Sequence, residues 1–231
     1  MPNYQTISDN AVVLSRIDYG EKDRIITVLT KDHGKQKAIA KAVRSSKSKL
    51  AGGIELFAEN KVVLKRSKTD LFILASARMD KYFGEIAKNI EATNYIYEML
   101  RLINKYTPEA EGKEYYPLLI NLLESAKAEK ISLTLVKIWF ELKLMQSQGF
   151  LPNLNSDKNG ARLRENNNFE FDYDRHCFFA KSAGSFTQKH IKLLRQILVY
   201  KKPTGILGNL GYIDEQSHRL TNSLVKKHFA D

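Results

Sequence analysis

Five short runs of apolar and β-branched residues, each closed by a turn signal, occupy the first 80 residues of this chain. Residues 11–17 (Ala-Val-Val-Leu-Ser-Arg-Ile) stop at Asp18-Tyr19-Gly20, and Arg24 to Thr30 stops at Asp32-His33-Gly34. In the third run, Lys35 to Val43, Ala38, Ala40 and Ala42 alternate with Lys37, Ile39 and Lys41. Leu56–Lys65 and Leu71–Ala77 follow, separated by Ser67-Lys68-Thr69-Asp70. Runs of this length with period-two alternation read as strands. Five strands so close together must protect their edges from pairing with other chains, and closing into a small barrel does this. The simplest match is the five-stranded oligonucleotide-binding fold.

Near Met79 the period changes. Ile86, Ile90, Tyr97, Leu100 and Ile103 recur at helical spacing, which predicts an amphipathic helix over 84–106. Pro117–Ala126 repeats the signal, and Ile131–Gln148 is apolar on nearly every face, as in the middle of a bundle. Residues 149–186, rich in Gly, Asn and Asp, read as irregular. Helices are predicted again over Thr187–Lys201, with Thr187 as N-cap, and Asp214–Phe229. The expected class is α+β: an oligonucleotide-binding barrel over 1–80, then an all-α domain over 81–231 with an irregular segment at 149–186.

Charge narrows the function. Lys and Arg number 37 against 26 Asp and Glu, a net +11, which suits a polyanionic partner. The excess is concentrated: residues 35–49 carry Lys35, Lys37, Lys41, Arg44, Lys47 and Lys49 and no acid. In an oligonucleotide-binding barrel the second and third strands and their loops form the usual binding face, so these six are the candidate phosphate contacts. Lys61, Lys65, Arg66 and Lys68 extend the basic character into the neighbouring hairpin. Aromatic platforms are sparse: Tyr19, Phe57, Phe72 and Tyr82 all read as core, which favours grip on the backbone over base stacking.

No constellation of catalytic residues emerges, so the chain reads as a non-enzyme without cofactor. Gly52-Gly53 lacks phosphate-loop context, and Asp18, Glu21 and Asp23 read as turn acids. His176 and the single cysteine, Cys177, do not make a zinc site. No apolar stretch approaches the roughly 18 residues of a membrane span. Met1–Asn10 is polar, unlike a secretory signal, so a cytoplasmic, nucleoid-associated protein is expected.

The run Leu14-Ser-Arg-Ile-Asp18-Tyr19-Gly20-Glu21-Lys-Asp23-Arg24 closely resembles the opening of the bacterial recombination mediator family RecO. The likeness continues through Thr30, Gly34-Lys35, Ala40-Lys41-Ala42-Val43-Arg44 and Ser48. Weaker agreement covers the hairpin at 55–66, the helix at 131–148, Gly149-Phe150-Leu151-Pro152 and the helices at 187–229. The resemblance implies a DNA-repair protein that binds single- and double-stranded DNA and anneals strands. It also implies partnership with a RecR-type mediator and the single-strand-binding protein, helping to load the recombinase. Arg101, Lys137 and Lys143 are the candidate receptor for the acidic tail of the single-strand-binding protein.

Two departures stand out. Many members carry a four-cysteine zinc module after the Gly-Phe-Leu-Pro segment; here 154–160 reads Leu-Asn-Ser-Asp-Lys-Asn-Gly, leaving Cys177 alone, so no zinc is expected. Ala42 stands where the family has glycine, which puts a tight bend there in question. The rival readings from other classes are a protein-interaction scaffold and an RNA-binding module.

Overall fold

A computed structural model describes residues 6–128, 131–163, 168–206 and 212–229. The remainder, which includes part of the polar N-terminal stretch and positions 164–167 of the irregular segment, lies outside the described residues. Strands β1 (Thr6–Tyr19), β2 (Asp23–Thr30), β3 (Gly34–Ala40), β4 (Ala58–Arg66) and β5 (Phe72–Tyr82) close into a barrel of order β1-β2-β3-β5-β4. Long β1 pairs with both β2 and β4, while two parallel pairs, Ala38 with Phe72 and Ile39 with Ile73, join β3 to β5. Alternation explains the interior: Ile7, Ala11, Val13, Ile26, Val28, Ala38, Ala40, Val62, Leu64, Phe72 and Leu74 form its buried core.

A β-bulge between Val13 and Ser15 shifts this alternation along β1. Before the bulge the odd-numbered residues face inward. Beyond it Arg16 lies opposite the inward-facing Ile26, so Ile17 and Tyr19 face outward.

The predicted 84–106 helix is interrupted. A 3-10 turn covers Gly84–Lys88, and α1 (Ile90–Tyr106) begins only after Asn89, whose side chain accepts the Ala92 N–H at 3.0 Å. Asn89 has an extended backbone (φ −115°, ψ 106°), so its carboxamide caps the new helix instead of continuing the turn. With α2 (Tyr115–Lys127), α1 packs on β1 and β2.

By compactness the chain groups into two units, one up to Lys127 and one from Ala128. Residue 80 lies within β5, and the first two helices belong with the barrel because they cover apolar side chains on its outer face. One tie across this packing joins a tyrosine to an acid. Tyr116 Oη donates to Glu59 Oε1 at 2.5 Å, and burial together with that carboxylate pushes its hydroxyl pKa far up.

The second unit is built on α3 (Leu133–Ser147), in which Trp139, Phe140 and Leu142 are fully buried. Trp139 Nε1 donates to the Tyr200 carbonyl at 3.0 Å. Around it pack α4 (Gln188–Val199) and α5 (Tyr212–His228), with Thr187 capping α4 as expected. The segment expected to be irregular contains a hairpin, β6 (Phe169–Asp172) and β7 (Cys177–Ala180), so this unit is not purely α. Phe171, Phe178 and Phe186 meet edge-to-face at 5.0 and 5.3 Å and give the hairpin its core.

Candidate nucleic-acid interface

The basic stretch leaves the sheet at Ala40 and is moored by the acids of the β1–β2 turn. Asp23 accepts the Ala42 N–H at 2.7 Å and the Lys41 ammonium at 2.8 Å. Asp18 accepts Arg24 Nε at 2.8 Å and pairs with the Arg44 guanidinium at 3.4 Å. Arg44 also donates its backbone N–H to the Lys22 carbonyl at 2.9 Å and its side chain to Gly20 at 3.3 Å. Both carboxyls are held below the usual range, Asp18 first by the Arg24 hydrogen bond and Asp23 first by that of Lys41. The turn acids thus act as anchors that set 41–49 beside the tip of β1, a role their turn-forming composition concealed.

Ala42 makes the bend that its missing glycine put in question: its φ is +52°, in the left-handed region. That conformation is unfavourable for a residue with a Cβ, and the Asp23 hydrogen bond to its N–H helps to hold it.

The six predicted phosphate contacts separate into three kinds. Lys35 is corrected: it is 6% exposed, and its ammonium donates to the Asn104 carbonyl at 2.8 Å. Its backbone bonds Glu111 and Ala110, each at 2.8 Å, and burial pushes its pKa down, so it joins the barrel to the α1–α2 region. Lys37, Lys41 and Arg44 are accessible but engaged, with Glu109 at 2.6 Å, Asp23 at 2.8 Å and Asp18 at 3.4 Å. Lys47 and Lys49 are exposed and have no acidic partner among the described residues.

Of the aromatics, Phe57 (7%) and Phe72 (4%) are core as expected, whereas Tyr19 (54%) and Tyr82 (56%) are exposed. The bulge in β1 turns Tyr19 outward.

Matching against known families places these features. Residues 2–83 match the family described as Recombination protein O N terminal, and residues 87–201 match Recombination protein O C terminal. The chain belongs to the recombination protein O family. Among its relatives, the DNA repair protein RecO of Alkaliphilus metalliredigens is 31% identical over 151 residues, covering 65% of this chain and 61% of that protein. The DNA repair protein RecO of Desulfatibacillum aliphaticivorans is 30% identical over 151 residues, covering 64% and 58%. The match thus spans about six tenths of the length of these curated relatives.

Against the RecO pattern, the candidate zinc segment carries a different closure. Asp157 accepts the N–H groups of Asn159 and Ala161 at 2.8 and 2.9 Å, and Asn153 bridges to Cys177. Cys177 is buried in β7, and burial raises its thiol pKa. Among the described residues no group of three or more His, Cys, Asp or Glu is placed to hold a metal.

The expected tail receptor does not survive as drawn. Lys137 is 7% exposed, and Lys143 donates to the Leu198 carbonyl at 2.7 Å, its pKa lowered by burial. Both serve the packing of the second unit, because α3 is enclosed on nearly all sides. Arg101 is exposed on α1 in the first unit, where it lines an open groove with Tyr97, Leu102 and Lys105.

Proposed function

We propose that this chain is a non-catalytic DNA-binding and strand-annealing mediator of recombinational repair, gripping phosphates with Lys37, Lys41, Arg44, Lys47 and Lys49. The family membership supports a role in DNA repair and recombination, and that family consists of mediators, not catalysts. The observation that carries the reading is the loop 41–49, moored at the barrel end with the exposed Lys47 and Lys49 ammonium groups lacking an acidic partner among the described residues. Unpaired exposed cations are available to displace counterions from a phosphate backbone, which yields affinity without sequence preference. Holding two polyanions on one basic surface lowers their mutual repulsion, and annealing needs no bond chemistry.

The same reading includes both single- and double-stranded DNA, a RecR-type mediator, and delivery of the recombinase to strands coated by single-strand-binding protein. For the acidic tail of that protein the α1 groove remains, with Arg101 and Lys105 beside Tyr97 and Leu102.

The test is affinity for an oligodeoxynucleotide as a function of salt. Lys47→Gln with Lys49→Gln should lower the logarithmic salt slope on a single strand by about 1.4, roughly 0.7 for each lost phosphate contact. Lys35→Met should leave the slope unchanged. An unaltered slope in the folded double variant would move the binding surface off this loop.

A further inference from the structure

On the outer face of the barrel four isoleucines stand in one cross-strand row. Ile17 lies opposite Ile25, Ile25 opposite Ile39, and Ile39 opposite Ile73. Strand alternation turns all four outward, since their neighbours Ile26, Ala38, Phe72 and Leu74 fill the barrel. Ile17 is 61% and Ile73 39% exposed, with Ile25 and Ile39 half-buried between them. Scattered exposed apolar residues are ordinary, but four in register make a continuous strip.

The surroundings of the strip are cationic. Lys65 lies opposite Ile73 and continues the row. Lys37 lies two residues before Ile39 on β3, and Lys41 two residues after it, just past the end of the strand. Tyr19 lies two residues beyond Ile17, beside the moored basic loop.

We infer that this isoleucine row receives the unstacked bases of a single nucleic-acid strand, and that it sets a preference for unpaired strand over duplex. The inference rests on the nucleic-acid reading above and adds a determinant to it. An occupant that suits both the strip and its rim must be anionic and also offer flat apolar surface. An unpaired strand presents both, whereas a duplex buries its base faces in its own stack. A protein occupant fits less well. Three strand spacings make the row only about 14 Å long, whereas a stable protein interface needs roughly 800 Å² from each partner. Phosphates then lie along Lys37, Lys41 and Lys65 while bases lie across the isoleucines, with the Tyr19 ring able to stack the base at the edge.

The experiment compares three ligands of one sequence and length at fixed salt: a single-stranded oligodeoxynucleotide, its duplex, and a strand of abasic sites. The full chain is titrated as wild type, as Ile17→Ser with Ile73→Ser, and as Lys47→Gln with Lys49→Gln. Thermal melting verifies that each is folded. The isoleucine variant is expected to lose about tenfold in affinity for the single strand, the low end of what a base contact contributes. Its affinity for duplex and abasic strand should not change. The lysine variant should weaken all three ligands together. Equal binding of normal and abasic strands by the wild type overturns the inference while leaving phosphate binding standing. An unchanged single-strand preference in the folded isoleucine variant also overturns it, and points to a protein partner for the row. No binding of any ligand defeats the nucleic-acid reading and this one with it.

Discussion

Two rows of side chains on the outer face of the same three strands meet opposite fates. Near one end, Val12, Leu29 and Lys35 stand in register, and all are buried, at 0%, 0% and 6% exposure. Toward the other, Ile17, Ile25 and Ile39 stand in register, and Ile17 remains 61% exposed. Intrinsic polarity alone would invert the assignment, burying the isoleucines and exposing the lysine. The difference comes from α1 and α2, which pack over the first row and supply the Asn104 carbonyl that satisfies the Lys35 ammonium. Burial of a charged group is tolerable where such a partner waits, and the stem of lysine covers apolar surface as well as most side chains do. The comparison teaches that this barrel commits one end of its outer face to packing under the helices and leaves the other open to solvent.

The sharpest way to break the comparison is to truncate each row in turn. Leu29→Ala should cost about 2–5 kcal/mol, from lost burial and the cavity left under the helices. Ile17→Ala should stay within about 0.5 kcal/mol of wild type. Chemical denaturation of the two variants measures both, and equal costs would show that the open row is structural after all.

A smaller effect probes the mooring of the basic loop. Ala42 holds φ at +52°, a region that glycine enters without steric cost. Ala42→Gly should therefore stabilise the protein by about 0.5–1 kcal/mol, the relief of left-handed strain less the extra flexibility of unfolded glycine. A lowered melting temperature would mean that the bend is not strained.

The smallest expected effect is a pH dependence at the same loop. The Asp23 carboxyl is held low, first by the Lys41 ammonium and then by the Ala42 N–H. A depressed carboxyl contributes stability that is fully present above its unfolded pKa, about 4, and is lost as pH falls through the folded value. Wild type should therefore melt slightly above Asp23→Asn at neutral pH, and the two curves should converge on acidification. A gap that widens in acid would remove the carboxylate from the mooring.

Much of this was legible along the chain, and the misses have physical causes. All five strands were readable because alternation is a local property, and the 131–148 stretch, apolar on nearly every face, announced a buried helix. The hairpin at 169–180 was obscured by its Asn- and Asp-rich flanks, although Phe169-Glu170-Phe171-Asp172 alternates as strands do. The break at Asn89 lay inside an apparently continuous helical period, since a side-chain cap leaves no mark on hydrophobic spacing. Lys137 and Lys143 read as a receptor for an acidic tail although their helix announced itself as enclosed, because residue type alone does not show which backbone carbonyl a lysine reaches, as Lys143 reaches that of Leu198.

By itself the sequence determined the barrel, the helices and the acid-free basic run, since each is written in residues close together in the chain. Tertiary structure decided which of those charges face solvent. Lys35 reaches its carbonyl partner 69 residues away, and Lys37 meets Glu109 on the same distant segment. The bulge after Val13 similarly turned Ile17 and Tyr19 outward by one inserted residue, because a slip of one position exchanges the two faces of a strand. Pairing, register and burial depend on contacts between distant segments, and no local pattern of residue types contains them.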